Sequence, residues 1–160
     1  MATASVAMAQ DDRGLVIERT FDAPRALVWK MFTDPQHMVA WMGPREHPSV
    51  FHEADVRPGG KWRGRLRAVD GSGELGQGGE YKEVRQPERL AFTFTWDQED
   101  GSRRPETLVE IDFAERGGKT LMTFRQGVFN TTSNRDGHGH GWNSTFDRLA
   151  DYLASTGGQS

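Results

Sequence analysis

Aromatic side chains are the residues in this 160-residue sequence with the clearest capacity for chemistry. There are 9 Phe, 5 Trp and 2 Tyr, although the mean hydropathy of the chain is −0.72, so a polar surface must enclose an interior rich in rings. Trp and Tyr combine a large apolar face with one hydrogen-bonding group, and pockets for small apolar molecules are lined in this way. These rings predict non-covalent binding, with the packing of a core as the alternative.

Glu83 is the acidic side chain with a case for lying inside. If the strand that contains Tyr81 alternates strictly, Glu83 points inward with it. A carboxylate there could orient a ligand, or act as an acid or base with a raised pKa. A bulge in the strand, or an ion pair with a neighbouring arginine, would instead leave Glu83 at the surface. Both readings stay open from the sequence alone.

Two motifs that contain glycine resemble a metal site and a nucleotide site, and neither site is predicted. His138 and His140 are two residues apart, a spacing that suits a metal site on a strand but not on the helix predicted here, so no metal is expected. The glycines at 137, 139 and 141 weaken that helix, and we expect them to let it approach the sheet or a ligand closely. Residues 71–76 match G-x-G-x-x-G but join two antiparallel strands, so no nucleotide site is predicted.

Charge, cysteine content and hydropathy narrow the classes of function. The chain has 20 Lys and Arg against 23 Asp and Glu, a net charge of −3, which gives no reason to expect binding to nucleic acid or to an anionic membrane. It has no cysteine, so disulfides and thiol catalysis are excluded and a cytoplasmic location is expected. No apolar run approaches the roughly 18 residues of a membrane span.

A basic stripe, defined as Lys61, Arg63, Arg65 and Arg67, alternates along one predicted strand. It could dock an acidic protein partner. We expect instead that it is the solvated outer face of the sheet, with its cations paired across strands to acids such as Glu80.

Hydrophobic periodicity predicts one domain over residues 14–156, with tails at 1–13 and 157–160. A strand is predicted at Leu15–Phe21, and Pro24 and Asp34-Pro35 begin two short helices. Six strands separated by turn signals follow, at 50–57, 61–69, 78–84, 90–96, 107–113 and 120–126. A period of 3.6 then returns in a C-terminal helix, capped by Ser133 and Asp136, with the apolar stripe Trp142, Phe146, Leu149, Ala150 and Leu153.

These elements predict an α+β fold in which a curved antiparallel sheet of about seven strands wraps round the long C-terminal helix. Strands joined by turns, with no helices between them, form an antiparallel meander. One face of such a sheet must be covered, and the last helix is the only predicted element long enough to cover it. Where sheet and helix diverge, a space remains unless side chains fill it.

Six motifs stand in this order along the chain, from about Leu15 to Ala154. They are VIERTFDAPRALVWKMFTDP at 16–35, WMGP at 41–44, DVRPGGKW at 55–62, GEYKEV at 79–84, PERLAFT at 87–93 and GWxxxFDRL at 141–149. Through these motifs the sequence resembles the START-like, or SRPBCC, superfamily with its helix-grip fold, and within it the branch named after the activators of Hsp90 ATPase. The resemblance implies a cavity between sheet and helix for a lipid, polyketide, plant-hormone-like or other hydrophobic molecule. A few relatives are cyclases or other enzymes, and the namesake is a co-chaperone.

Alternation along the strands, taken with this resemblance, predicts which residues face the cavity. The expected partner is a small hydrophobic molecule, with no metal and no organic cofactor. Two alternatives remain: a module that interacts with an Hsp90-type chaperone, and a cyclase- or hydrolase-like enzyme, for which the sequence offers no convincing acid–base pair. The predicted ligand-binding residues are Met38, Trp41, Trp62, Tyr81, Glu83, Phe94, Trp96, Phe124, Trp142, Phe146 and Leu149.

Overall fold

An antiparallel sheet and three helices make up the described part of the chain. The computed structural model describes residues 5–8, 14–97, 106–129 and 131–155. None of the helices within these ranges is long and apolar enough to cross a membrane. The elements in chain order are β1 (Ser5–Met8), β2 (Leu15–Phe21), α1 (Arg25–Thr33), α2 (Pro35–Trp41), β3 (Ser49–Ala54), β4 (Lys61–Arg67), β5 (Glu74–Arg85), β6 (Arg89–Trp96), β7 (Thr107–Arg116), β8 (Lys119–Gly127) and α3 (Thr132–Ser155).

The predicted fold class is confirmed. Neighbouring strands are antiparallel and follow the order β1-β2-β8-β7-β6-β5-β4-β3 across the sheet. The seven predicted strands, the two short helices after β2 and the long C-terminal helix are all present. Strand β2, near the N-terminus, pairs with β8, the last strand in the sequence, so the sheet joins early and late segments of the chain.

Two local predictions at the ends of elements are wrong. Ser5–Met8, inside the segment predicted as an N-terminal tail, pairs with β2 as an additional edge strand. The other residues predicted as tails, 1–4, 9–13 and 157–160, lie outside the described residues. Ser133 does not cap α3, because the helix already begins at Thr132.

Asp34 separates the two short helices as its sequence context predicts. Its backbone is extended, and its side chain accepts a hydrogen bond from the N–H of Gln36 at 2.9 Å. Pro35 follows at the first helical position, where a missing N–H is tolerated. The turn between the helices lets α1 pack on the sheet, where the ring centroid of Phe32 lies 5.1 Å from that of Phe113.

The long helix α3 covers the inner face of the sheet. Phe146 and Leu149 are fully buried, and the Phe146 ring lies 5.4 Å from Phe124 of β8 between centroids. At the flank, Arg19 of β2 reaches Asp147 at 2.5 Å. Burial of a large apolar side chain stabilises the fold by roughly 1.5–3 kcal/mol, so the middle of the sheet–helix interface is the packed core.

The sheet is distorted where β5 passes β6, and Gly79 permits the distortion. The ladder is interrupted at residues 79 and 80: the N–H of Glu80 donates to Thr93 Oγ1 at 2.9 Å, and the Thr93 carbonyl accepts from Trp62 Nε1 at 3.0 Å. A Cβ on Gly79 would lie 1.8 Å from that carbonyl oxygen. The close approach that seats the Trp62 indole therefore requires glycine at this position.

Gly79→Ala should lower the free energy of unfolding by about 3 kcal/mol, because the added methyl group meets backbone that cannot move aside. Urea titration measures the loss. The control is Gly137→Ala in α3, where a Cβ meets nothing within 4 Å and should stabilise the helix by about 1 kcal/mol. Wild-type stability in Gly79→Ala would show that the strands separate easily here.

Candidate functional site

A cavity of about 310 Å³ lies between α3 and the half of the sheet formed by β4, β5 and β6. Here α3 stands away from the sheet, and the loop that follows α2 forms the third wall. The lining residues are Leu66, Leu75, Gln77, Phe94 and Trp96 from the sheet, Ser133, Gly137, His138, Gly141, Trp142 and Thr145 from α3, and Met42, Gly43, Pro44 and His47 from the loop.

The lining is apolar and aromatic, with a few neutral hydrogen-bonding groups. None of the described residues that form it is an Asp, Glu, Lys or Arg. Its volume lies at the low end of the roughly 300–1,000 Å³ that is typical of small-molecule sites. The cavity therefore suits one compact molecule whose surface is mostly apolar.

Two of the three glycines in α3 help to make the cavity open. A Cβ on Gly137 or Gly141 would meet nothing within 4 Å, and both residues line the cavity. Gly139 alone serves close packing, since its Cβ would lie 3.1 Å from Leu15 Cδ1 of β2. The expectation of close approach thus holds against the sheet for Gly139. For Gly137 and Gly141, whose missing side chains leave space in the cavity, close approach to a ligand stays a prediction.

Two tryptophans connect α3 to the sheet through their indole nitrogens. Trp142 Nε1 donates to Gln126 Oε1 at 2.8 Å, and Trp96 Nε1 donates to His138 Nε2 at 2.8 Å. The acceptor Nε2 of His138 carries no proton in this bond, so the imidazole is the neutral tautomer with its hydrogen on Nδ1. Because both indole N–H groups are satisfied within the protein, the rings present chiefly their apolar surfaces to the cavity.

Arg148 fixes the loop wall of the cavity to α3. Its guanidinium donates to the carbonyl oxygens of Met42 at 2.7 Å, Gly43 at 2.9 Å and Ala40 at 3.0 Å. Ala40 lies in the last turn of α2, where helical carbonyl groups lack partners within the helix, and Met42 and Gly43 follow the end of the helix. One side chain therefore caps α2 and holds Met42 and Gly43 in the lining.

The predicted ligand-binding residues fall into three groups. Phe94, Trp96 and Trp142 line the cavity. Glu83 lies outside the cavity. The remaining predicted residues are buried in the core and are not part of the lining: Met38, Trp41, Trp62, Tyr81, Phe124, Phe146 and Leu149.

Burial explains why the core group has no surface to offer a ligand. The Trp41 indole nitrogen, for example, donates to the Met31 carbonyl at 3.0 Å, and burial raises the pKa of the Tyr81 hydroxyl well above its ordinary value. The sequence missed Gln77, although it shares an inward face with Tyr81 by alternation, because the strand was expected to begin only at residue 78. The structure starts β5 at Glu74.

The inward reading of Glu83 is wrong. The register of β5 against β6 shifts between Tyr81 and Glu83, which is a bulge. Glu83 instead accepts from Arg89 Nε at 2.8 Å and from Arg85 Nε at 2.6 Å. The Arg89 hydrogen bond, with that of Arg85, lowers the pKa of Glu83, the opposite of what a buried acid or base would need.

The basic stripe is the ion-paired outer face that the sequence predicted. Lys61 contacts Glu80 at 2.8 Å, and Arg67 contacts Glu74 at 2.6 Å. Arg65 also reaches Glu74, at 3.6 Å, and Arg63 pairs with Asp97. Among the described residues no group of three or more His, Asp or Glu side chains could hold a metal ion.

His52 of β3 is buried without hydrogen-bond partners. It is 9% exposed, neither ring nitrogen has a partner, and its ring stacks on Trp62 with centroids 5.8 Å apart. Burial lowers the pKa of His52 to about 4. The imidazole is therefore neutral at neutral pH.

His52 should make the fold sensitive to acid. An unfolded histidine with a pKa near 6.5 takes up a proton as the pH falls, whereas folded His52 resists protonation until about pH 4. The unfolded state then binds more protons, so stability falls between these values. We expect His52→Leu to reduce the stability lost between pH 7.5 and 4.5 by about 2–3 kcal/mol.

Urea unfolding at the two pH values measures this difference. The matched control is His140→Leu, at an exposed position of α3, which should keep the pH slope of the wild type. Equal slopes in wild type and His52→Leu would contradict a neutral buried imidazole.

Solved structures of other proteins share the fold of this chain. A crystal structure of a protein from Mycobacterium smegmatis, 23% identical, has a TM-score of 0.81 over 96% of this chain and 99% of that chain. The AHSA1 protein from Silicibacter pomeroyi, also 23% identical, has a TM-score of 0.81 over 89% and 99%, and a protein from Arthrobacter aurescens, 21% identical, has 0.84 over 94% and 91%. At these identities the likeness bears on the fold alone.

No curated protein matches the sequence. The family model described as Activator of Hsp90 ATPase homolog 1-like protein matches residues 22–154. Because this match covers most of the chain, the protein belongs to the Activator of Hsp90 ATPase homolog 1-like family.

Proposed function

We propose that the protein binds one small hydrophobic or aromatic molecule in the cavity between the sheet and α3. The observation that carries this proposal is an uncharged cavity of about 310 Å³, lined by Phe94, Trp96 and Trp142. Burial of apolar ligand surface would supply affinity, at roughly 25 cal/mol per Å² before the cost of association is subtracted. A cytoplasmic location belongs to the same proposal.

The glycines of α3 support binding over mere core packing. Gly137 and Gly141 each weaken the helix by about 1 kcal/mol relative to alanine, and neither is needed to avoid a clash. A chain that required only a stable core would gain from larger residues at both positions. Open space at these positions is accounted for if a ligand occupies it.

The two alternative functions draw less support from the site. The enzyme alternative depended on an inward carboxylate, and Glu83 is instead paired with Arg85 and Arg89 at the surface. The chaperone alternative depended on the basic stripe as a docking surface, and its cations are already paired with acids of this chain. The family name alone supports a chaperone partner.

Filling the cavity from α3 tests the proposal directly. We expect Gly141→Leu to abolish binding of ligands that the wild type accepts, because the leucine side chain would enter the open space beside Trp142. Gly141→Ala adds a single methyl group and should retain binding while stabilising the helix by about 1 kcal/mol. The two variants differ only in how much of the cavity they fill.

Thermal shift with tryptophan fluorescence measures binding across a panel of fatty acids, sterols, flavonoids and aromatic polyketides. A ligand that prefers the folded state raises the melting temperature as its concentration rises. Saturable shifts in wild type and Gly141→Ala that vanish in Gly141→Leu are the expected result. A ligand that shifts all three proteins equally would bind elsewhere and contradict the assignment of the cavity.

A further inference from the structure

Four residues on adjacent strands form one row across the inner face of the sheet. His52 of β3 pairs with Gly64 of β4, Gly64 pairs with Gln77 of β5, and Gln77 pairs with Trp96 of β6. Residues directly opposite each other in antiparallel strands share a face. The row therefore runs from the edge strand to Trp96, and Gln77 and Trp96 at its inner end line the cavity.

Gly64 lets the two polar side chains of the row lie over the same point. A Cβ on Gly64 would stand 3.2 Å from Gln77 Nε2 and 3.3 Å from His52 Nδ1. The amide and the imidazole thus both lie close to a residue that has no side chain, and no hydrogen bond joins them. Gln77 stands between His52 and the cavity.

Both side chains are buried, and they differ in what surrounds their polar atoms. Gln77 is 3% exposed and His52 is 9% exposed. Both ring nitrogens of His52 are buried without a hydrogen-bond partner, whereas Gln77 lines the cavity. Trp96, Trp142 and Thr145 also line the cavity, but each uses its polar atom within the protein. Buried polar groups in folded proteins are nearly always paired, so the amide of Gln77 is placed to pair with a polar group inside the cavity.

Resting on the proposed function, we infer that Gln77, backed by His52, is the hydrogen-bonding residue of the cavity, and that the ligand carries one uncharged polar group, a hydroxyl or carbonyl, on an apolar frame. A glutamine amide both donates and accepts, so it can pair with either group. A charged ligand group would lose its hydration without meeting an opposite charge, because the lining holds no acidic or basic side chain other than histidine. The neutral state of His52 fits the same class of ligand.

Three naphthalenes of nearly equal size separate these possibilities. At pH 7, 2-naphthol carries a neutral hydroxyl, 2-methylnaphthalene replaces it with a methyl group, and 2-naphthoate carries a carboxylate. Equilibrium dialysis gives the Kd of each probe for the wild type and its variants. The decisive quantity is the naphthol preference, defined as the Kd of 2-methylnaphthalene divided by that of 2-naphthol.

Gln77→Met keeps the length of the side chain and removes its hydrogen-bonding atoms. We expect it to reduce the naphthol preference about tenfold, the effect of losing one buried hydrogen bond, while the Kd of 2-methylnaphthalene stays within about twofold. Thr33→Val is the control, because the Thr33 hydroxyl donates to the Trp29 carbonyl at 2.9 Å and lies outside the cavity. It should leave the preference unchanged.

His52 flanks Gln77 across Gly64, so the inference that it supports Gln77 needs a readout that packing alone would not move. His52→Leu should reduce the naphthol preference by a smaller factor than Gln77→Met and leave the Kd of 2-methylnaphthalene unaltered. A structural role alone would weaken both probes together. If Gln77→Met fails to fold, the side-chain amide resonances of Gln77 in the wild type should shift with 2-naphthol and not with 2-methylnaphthalene.

The outcomes separate a failure of the inference about Gln77 from a failure of the proposed binding function. A preference that is unchanged in Gln77→Met, or tightest binding by 2-naphthoate, overturns this inference while the binding function stands. Failure of the wild type to bind 2-naphthol and 2-methylnaphthalene alike overturns the inference together with the proposed cavity function for compact aromatic ligands.

Discussion

The inner face of the sheet must be covered, and α3 is the long helix that covers it in the described part of the chain. A straight helix cannot follow a curved sheet along its whole length. The helix therefore contacts the sheet on one side and leaves a space on the other. Against β2 and β8 the two are in contact, through Phe146 and Phe124 and the Arg19–Asp147 ion pair. Against β4, β5 and β6 they diverge, and the cavity lies there. Core and candidate site are therefore two ends of the same interface.

Polar atoms at this interface are distributed unequally. On the packed side, the Trp142 indole, Gln126 and Thr107 form a continuous chain of hydrogen bonds. At the loop, Arg148 satisfies backbone carbonyls beyond α2. Among the described residues, the buried side-chain atoms without a partner are the two ring nitrogens of His52 and Oδ1 of Asn143 in α3. His52 lies in the strand row that leads to Gln77 and the cavity.

The sequence predicted which face a residue occupies better than where along the interface it lies. Alternation correctly turned Phe94 and Trp96 inward, and Asp34-Pro35 correctly marked the start of α2. Helical periodicity could not separate Trp41 of α2 from Trp142 of α3, since both face inward and the packing of each helix on the sheet decides which one lines the cavity. Alternation failed at Glu83, because one bulge reverses the face of every residue beyond it. Such bulges depend on backbone packing between strands, which no pattern of side chains in one strand reveals.

The glycines of α3 also bear on how quickly a molecule could reach the interior. Gly137, Gly139 and Gly141 lie within two turns, so the first half of the helix has little intrinsic tendency to stay wound. It is held by contacts with the sheet, among them the Trp96–His138 bond. Segments of this kind open locally far more often than the whole protein unfolds. Because Gly137 and Gly141 line the cavity, brief unwinding of this part of the helix would widen access from solvent to the interior.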